Sequence, residues 1–123
     1  VSKFPAFWIS NSAKSYEKGV HWFSCFFPSN DSPVEFFCSL GKKPSDYSTE
    51  LVKVLKNNGN GVIKCNSHQV QPDNSYSCAY FCLYVIDQRC REVTYENCLS
   101  KFSSSDLLKN EKLVVDYVQK HMT

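Results

Sequence analysis

Gln71-Pro-Asp-Asn-Ser-Tyr-Ser-Cys78-Ala-Tyr-Phe-Cys-Leu-Tyr-Val-Ile86 is a polar turn that runs into an apolar segment, with a cysteine at the junction. Asp73, Asn74, Ser75 and Ser77 are turn and N-cap residue types, and Ala79, Cys82, Leu83 and Ile86 follow at the spacing of one helical face. This predicts a helix whose first turn carries Cys78. Unpaired backbone N–H groups and the positive dipole end at that position favour a thiolate over a thiol, the precondition for a cysteine nucleophile. Gln71, seven positions earlier, has an amide able to point an N–H at the oxyanion of a tetrahedral intermediate, together with the backbone N–H of Cys78. Small Ala79 directly after the cysteine lets substrate and backbone approach closely.

Upstream, Phe4 to Ile9 reads as a strand, with Pro5 marking an edge or a strand start. Asn11 to Gly19 is a polar loop. His21 to Phe27 and Val34 to Cys38 are β-favouring runs separated by a turn from Pro28 to Pro33, which predicts an antiparallel hairpin in a buried sheet. Ser45 or Asp46 caps a helix through Leu55, and Asn57-Asn58-Gly59 ends it. Val62 to Cys65 is a short strand. Downstream of the Cys78 helix, Thr94 caps a short helix to Phe102, and Ser105 or Asn110 begins an amphipathic helix carrying Leu113, Val114, Tyr117 and Val118. Strands, a helix, a strand and then three helices make the fold class α+β, with a small mixed or antiparallel central sheet packed against helices.

The totals bound the function. With 123 residues, 42% hydrophobic and 15% aromatic, residues 1 to 123 are read as a single packed domain. The chain starts at Val1, so it is also read as a piece of something longer. Net charge is +2 with both signs mixed along the chain, and no basic block interleaved with aromatics points to nucleic acid. No apolar run approaches a membrane span of about 20 residues, and no signal-peptide pattern is present. The seven cysteines are odd in number and sit mostly inside apolar runs, which indicates reduced thiols in an intracellular setting rather than a disulfide scaffold. Most are expected to act as small buried hydrophobes.

Three histidines are candidates for a base. His121 sits at the frayed end of the last helix and His68 in a polar loop, whereas His21 opens an aromatic strand beside Trp22, whose ring can shield the imidazole and restrict its rotamers.

The order Gly19-x-His21-Trp22, then Phe36-Phe37-x-Ser39-x-Gly41, then Gln71-x6-Cys78 and Cys82-Leu83-Tyr84 resembles the adenain-type cysteine peptidases. These are the adenovirus endopeptidase and its relatives in DNA viruses and large DNA transposons, distant cousins of the ubiquitin-like-protein proteases. The resemblance runs from about Phe4 through the last helix. It implies His21 as general base, Cys78 as nucleophile and Gln71 as oxyanion-hole donor, with the cysteine-bearing helix packed on a sheet that supplies the histidine. Trp22 and Ala79 are the substrate-groove candidates.

Two positions depart from the family. The acidic residue that orients the histidine is replaced by Cys38, and Glu35, three residues away, points to the opposite face under period-two alternation. Ala79 stands where relatives usually carry glycine. Loss of an orienting acid in a serine triad costs up to about four orders of magnitude, but a thiolate depends less on its base.

The expected activity is endopeptidase or isopeptidase cleavage of viral or transposon precursor proteins, with no cofactor and a protein or peptide as partner. The alternative is a catalytically degenerate peptidase fold kept as a binding or structural module. His21, Cys38 and Cys78 are also weighed as a Cys2His zinc cluster, and Cys38 with Cys78 as a disulfide that silences the site. By resemblance, an activating peptide or DNA and a nuclear or virion location enter as expectations, with no membrane association and a monomeric state.

Overall fold

The β-favouring runs pair into a four-stranded sheet. In the computed structural model, which describes residues 3–11 and 21–122, strands β1 (Ala6–Asn11), β2 (Trp22–Phe27) and β3 (Val34–Phe37) are antiparallel neighbours. Strand β4 (Ile63–Cys65) adds parallel to β3, so the sheet is mixed, in the order β1-β2-β3-β4. The first strand begins just after Pro5 rather than at Phe4, since proline has no N–H to give a ladder. The polar loop expected from Asn11 to Gly19 lies, beyond Asn11, outside the described residues.

Alternation sends the aromatic pair of β3 to opposite sides. Phe36 joins Phe23, Cys25, Phe27, Val34 and Cys38 against Leu51 and Leu55, while Phe37 packs with Phe81, Tyr84, Val85 and Val114. Each buried phenylalanine contributes about 2–3 kcal/mol of transfer free energy. The helices covering the first side are α1 (Pro44–Tyr47) and α2 (Thr49–Lys56), and the other side is covered by α3 (Cys78–Cys90) and α5 (Leu107–His121). Helix α4 (Tyr95–Ser100) is capped by Thr94, as its sequence predicts, and Tyr95 Oη donates to the Phe36 carbonyl. The architecture is α+β.

Three local expectations are corrected. The single helix expected from Ser45 or Asp46 to Leu55 is two. Ser48 adopts extended backbone (φ −168°, ψ 155°) and its Oγ accepts the Leu51 N–H (3.0 Å), so a new helix starts there. Asp46 instead accepts the Lys43 N–H at the start of α1, where Pro44 suits the first helical position. On α3 the buried face is Cys78, Phe81, Cys82 and Val85 with Tyr84 and Ile86, whereas Ala79 and Leu83 are half-buried. That helix is covered both by the sheet and by α5, and a face wider than one stripe is needed to fill the contact. Finally, Asp106 caps α5 by accepting the Lys109 N–H (3.1 Å), not Ser105 or Asn110. Asn110 is buried within the helix and donates to the carbonyls of Val70 (3.0 Å) and Ser103 (2.7 Å), which ties α5 to the segment leading into Gln71. Among the described residues no helix is long and apolar enough to cross a membrane.

Candidate active site

The site is built where the C-terminal end of β3 meets the chain that leaves β4. Ser39 is fully buried, and its carbonyl accepts the N–H groups of both Val70 (2.8 Å) and Gln71 (3.0 Å). Its hydroxyl donates to Oε1 of Gln71. Asn66 completes the splice, accepting the Cys38 N–H (3.0 Å) and donating to the Cys38 carbonyl (2.7 Å). Gly41 sits at φ +77°, and a Cβ there would stand 2.9 Å from the Gln69 nitrogen. Glycine is required at this point both by the left-handed backbone and by the close approach.

Beyond Gln71 the chain folds back on itself. The Gln71 Nε2 donates to the Ser75 carbonyl (2.9 Å), across a turn in which Asn74 has φ 60°. Gln69 Nε2 bonds Asp73 (2.9 Å) and the Gln71 carbonyl (2.8 Å), and Ser75 Oγ donates to Glu111 of α5 (2.9 Å). The loop is thus anchored on both sides before it enters α3 at Cys78.

Cys78 is the first residue of α3 and is buried. Ser77 makes no side-chain cap and the first turn carries no acidic residue, so no side chain of that turn offsets the positive end of the helix. All seven cysteines are free thiols, and the Cys38–Cys78 disulfide is not formed. The side chains of Cys38, Cys78 and Cys82 lie within electrostatic reach of Tyr47, whose phenol is pushed up by burial and by its hydrogen bond with Cys38.

His21 precedes β2 and, with Leu40 and residues 71–76, lines a cleft of about 780 Å³. The structure therefore brings His21 and Gln71 to one cavity, and Cys78 follows the loop that walls it. Burial, then the Lys42 ammonium, holds the His21 imidazole below its usual pKa, which favours the neutral form a general base needs. Trp22 and Ala79, the groove candidates, are half-buried and do not line this cleft.

Cys38 is buried, and its sulfur hydrogen-bonds Tyr47 Oη at 3.0 Å. Glu35 is on the other face, where both of its oxygens take the Arg89 guanidinium (2.6 and 3.1 Å). Arg89 also lies 4.5 Å over the Phe26 ring. Among the described residues no three His, Cys, Asp or Glu side chains come together as a metal site, so the cluster of His21, Cys38 and Cys78 weighed for zinc is not assembled.

Sequence reasoning missed four residues of this site: Ser39, Tyr47, Lys42 and Asn66. Ser39 and Gly41 were visible inside the Phe-Phe-x-Ser-x-Gly pattern but carried no role there, because their partners are about thirty residues away in the chain. For Tyr47 and Lys42 no local signal exists.

The sequence matches no protein-family profile and no curated protein. Among solved structures, it is similar to the crystal structure of the ASFV pS273R protease, with a TM-score of 0.55 and 19% identity over 88% of this chain. The match covers 42% of that chain, so the present sequence spans less than half the length of that protease. At this identity the likeness is one of fold: the chain folds like part of that protease.

Proposed function

We propose that this domain is a cysteine peptidase of the adenain type, an endopeptidase or isopeptidase, in which Cys78 is the nucleophile, His21 the base and Gln71 the oxyanion donor. The observation that carries the reading is the shared cleft of His21 and Gln71, walled by the loop that delivers Cys78 to the start of α3. In the reaction, Cys78 Sγ attacks the scissile carbonyl carbon and its proton passes to the His21 imidazole. The carbonyl oxygen, now negative, is held by the Gln71 amide and the Cys78 N–H. Collapse breaks the C–N bond, and His21 returns the proton to the departing amine, leaving a thioester. Water, deprotonated by His21, then adds to the thioester, and the Cys78 sulfur leaves and regains the proton. By the resemblance of its motifs, the substrates are viral or transposon precursor proteins.

The test is turnover of a library of small-residue peptides under reducing conditions by the parent chain and by Cys78→Ala, with iodoacetamide labelling at near-neutral pH. The reading predicts Cys78-dependent cleavage, and labelling of Cys78 faster than of the other six cysteines and slowed by His21→Ala. Equal labelling of Cys78 in parent and His21→Ala chains, with no cleavage, removes it.

A second reading, a silent peptidase fold used for binding, draws on one observation. The thiol at the acid position is engaged with Tyr47, and the nearby carboxylate with Arg89. It predicts that Cys78→Ser retains a partner while the parent cleaves nothing.

A further inference from the structure

We infer that Ser39 is a positioning residue for the oxyanion donor, setting which end of the Gln71 amide faces the cleft. The inference rests on the peptidase reading for its catalytic consequence, but its geometric half stands alone. An amide offers a donor end and an acceptor end of nearly the same shape, and only the donor end stabilises an oxyanion; the wrong end repels it.

Two contacts settle the orientation of Gln71. The Ser75 carbonyl accepts only, so it selects the nitrogen. The Ser39 hydroxyl then donates to the oxygen, which turns that acceptor away into the protein interior, where Ser39 is 0% and Gln71 2% exposed. Of the two N–H groups on Nε2, one is used by Ser75, and the inference gives the other to the cleft that Gln71 lines. The Ser39 carbonyl meanwhile accepts the Gln71 backbone N–H, so one residue holds both the main chain and the side chain of the donor. Removing the hydroxyl leaves the buried Oε1 without its partner. The amide then gains by turning toward any donor, and the second N–H is no longer aimed.

The experiment uses the whole chain with Ser39→Ala, and with Ser39→Thr, which keeps the hydroxyl. The first readout is the ¹⁵N spectrum of the Gln71 carboxamide, assigned by its disappearance in Gln71→Met. The two Nε2 protons are expected to be distinct and slowly exchanging in the parent and in Ser39→Thr, and to move together and exchange faster in Ser39→Ala. The second is peptide turnover. Ser39→Ala is expected to lower kcat about tenfold, a fraction of the roughly 10²–10³ lost with a whole oxyanion donor, at nearly constant KM. Added to Gln71→Ala, it should cost nothing further. An unchanged carboxamide spectrum in Ser39→Ala overturns the inference, as does an unchanged kcat or a loss that multiplies with that of Gln71→Ala. Absence of Cys78-dependent turnover in the parent instead overturns the peptidase reading and the catalytic role with it, while the carboxamide spectrum still decides the orientation.

Discussion

Glu35 and Arg89, 54 residues apart in sequence, form a two-pronged ion pair at 2.6 and 3.1 Å on the face of the sheet opposite Cys38. The only carboxylate of β3 is thereby committed to holding the end of α3 against the sheet, and not to His21.

The pair is largely buried, with side chains 7% and 14% exposed. Removing one partner leaves an uncompensated charge, so Arg89→Met is expected to destabilise the fold by about 3–5 kcal/mol. Denaturant unfolding of the parent and the variant measures this. Glu35→Gln should also lower stability, yet leave the pH dependence of Cys78 labelling where it was; a shifted profile would show that Glu35 does reach the histidine.

Lys42 offers a direct handle on His21, the proposed base. Its charge lowers the His21 pKa in addition to the larger effect of burial, so the neutral imidazole persists to lower pH. In Lys42→Met the imidazolium is no longer repelled and the pKa rises. The acid limb of the labelling rate against pH is therefore expected to move to higher pH, and at a pH on that limb the variant is slower. A limb that stays in place or moves down contradicts this electrostatic assignment.

Cys38→Asp places a carboxylate where the resemblance to adenain-type peptidases expects one. Alternation puts Cys38 on the same sheet face as Phe23, two residues from His21, and Tyr47 Oη is already in place to donate to a carboxylate there. We expect stability lower by about 1–3 kcal/mol for the buried polar group, together with Cys78-dependent turnover raised at least about tenfold, since orientation of the imidazole can be worth up to about 10⁴. Parallel turnover and thermal-melt measurements separate the two effects. Unchanged turnover in a folded variant would mean that the imidazole is already oriented without an acid.

Gly41→Ala tests the splice between β3 and the segment that carries Gln71. An L-residue at φ +77° is strained, and its Cβ would meet backbone rather than a yielding side chain. A loss of about 1–3 kcal/mol follows from the backbone strain, and displacement of the 68–69 backbone should lower turnover as well. Gly61, also at positive φ but with no atom closer than 3.8 Å, serves as the control for strain without crowding.

Much of this fold is legible in short stretches of sequence. The β2–β3 hairpin follows from two aromatic runs flanking a proline-bounded turn, and α4 from Thr94, because strand propensity and N-capping act over a few neighbouring residues. The division of α1 from α2 was not legible, since Ser45, Asp46 and Ser48 are all N-cap residue types within four positions, and only the Ser48 hydroxyl taking the Leu51 N–H shows that a second helix starts there. Nor was the buried face of α3, which is hydrophobic most of the way round and takes its orientation from the sheet and α5.

The sequence by itself determined the strands and most of the helices, the α+β class, the nomination of Cys78, His21 and Gln71, and the thiol where the resemblance expects an acid. Each rests on residue identity and local spacing. Only the tertiary structure decided that His21 and Gln71 share a cleft, that Glu35 belongs to Arg89, that Cys38 belongs to Tyr47, and that the Ser39 hydroxyl bonds the Gln71 amide. Those contacts join residues that local periodicity cannot relate, and they form because buried polar groups left without partners in a packed interior are too costly to keep.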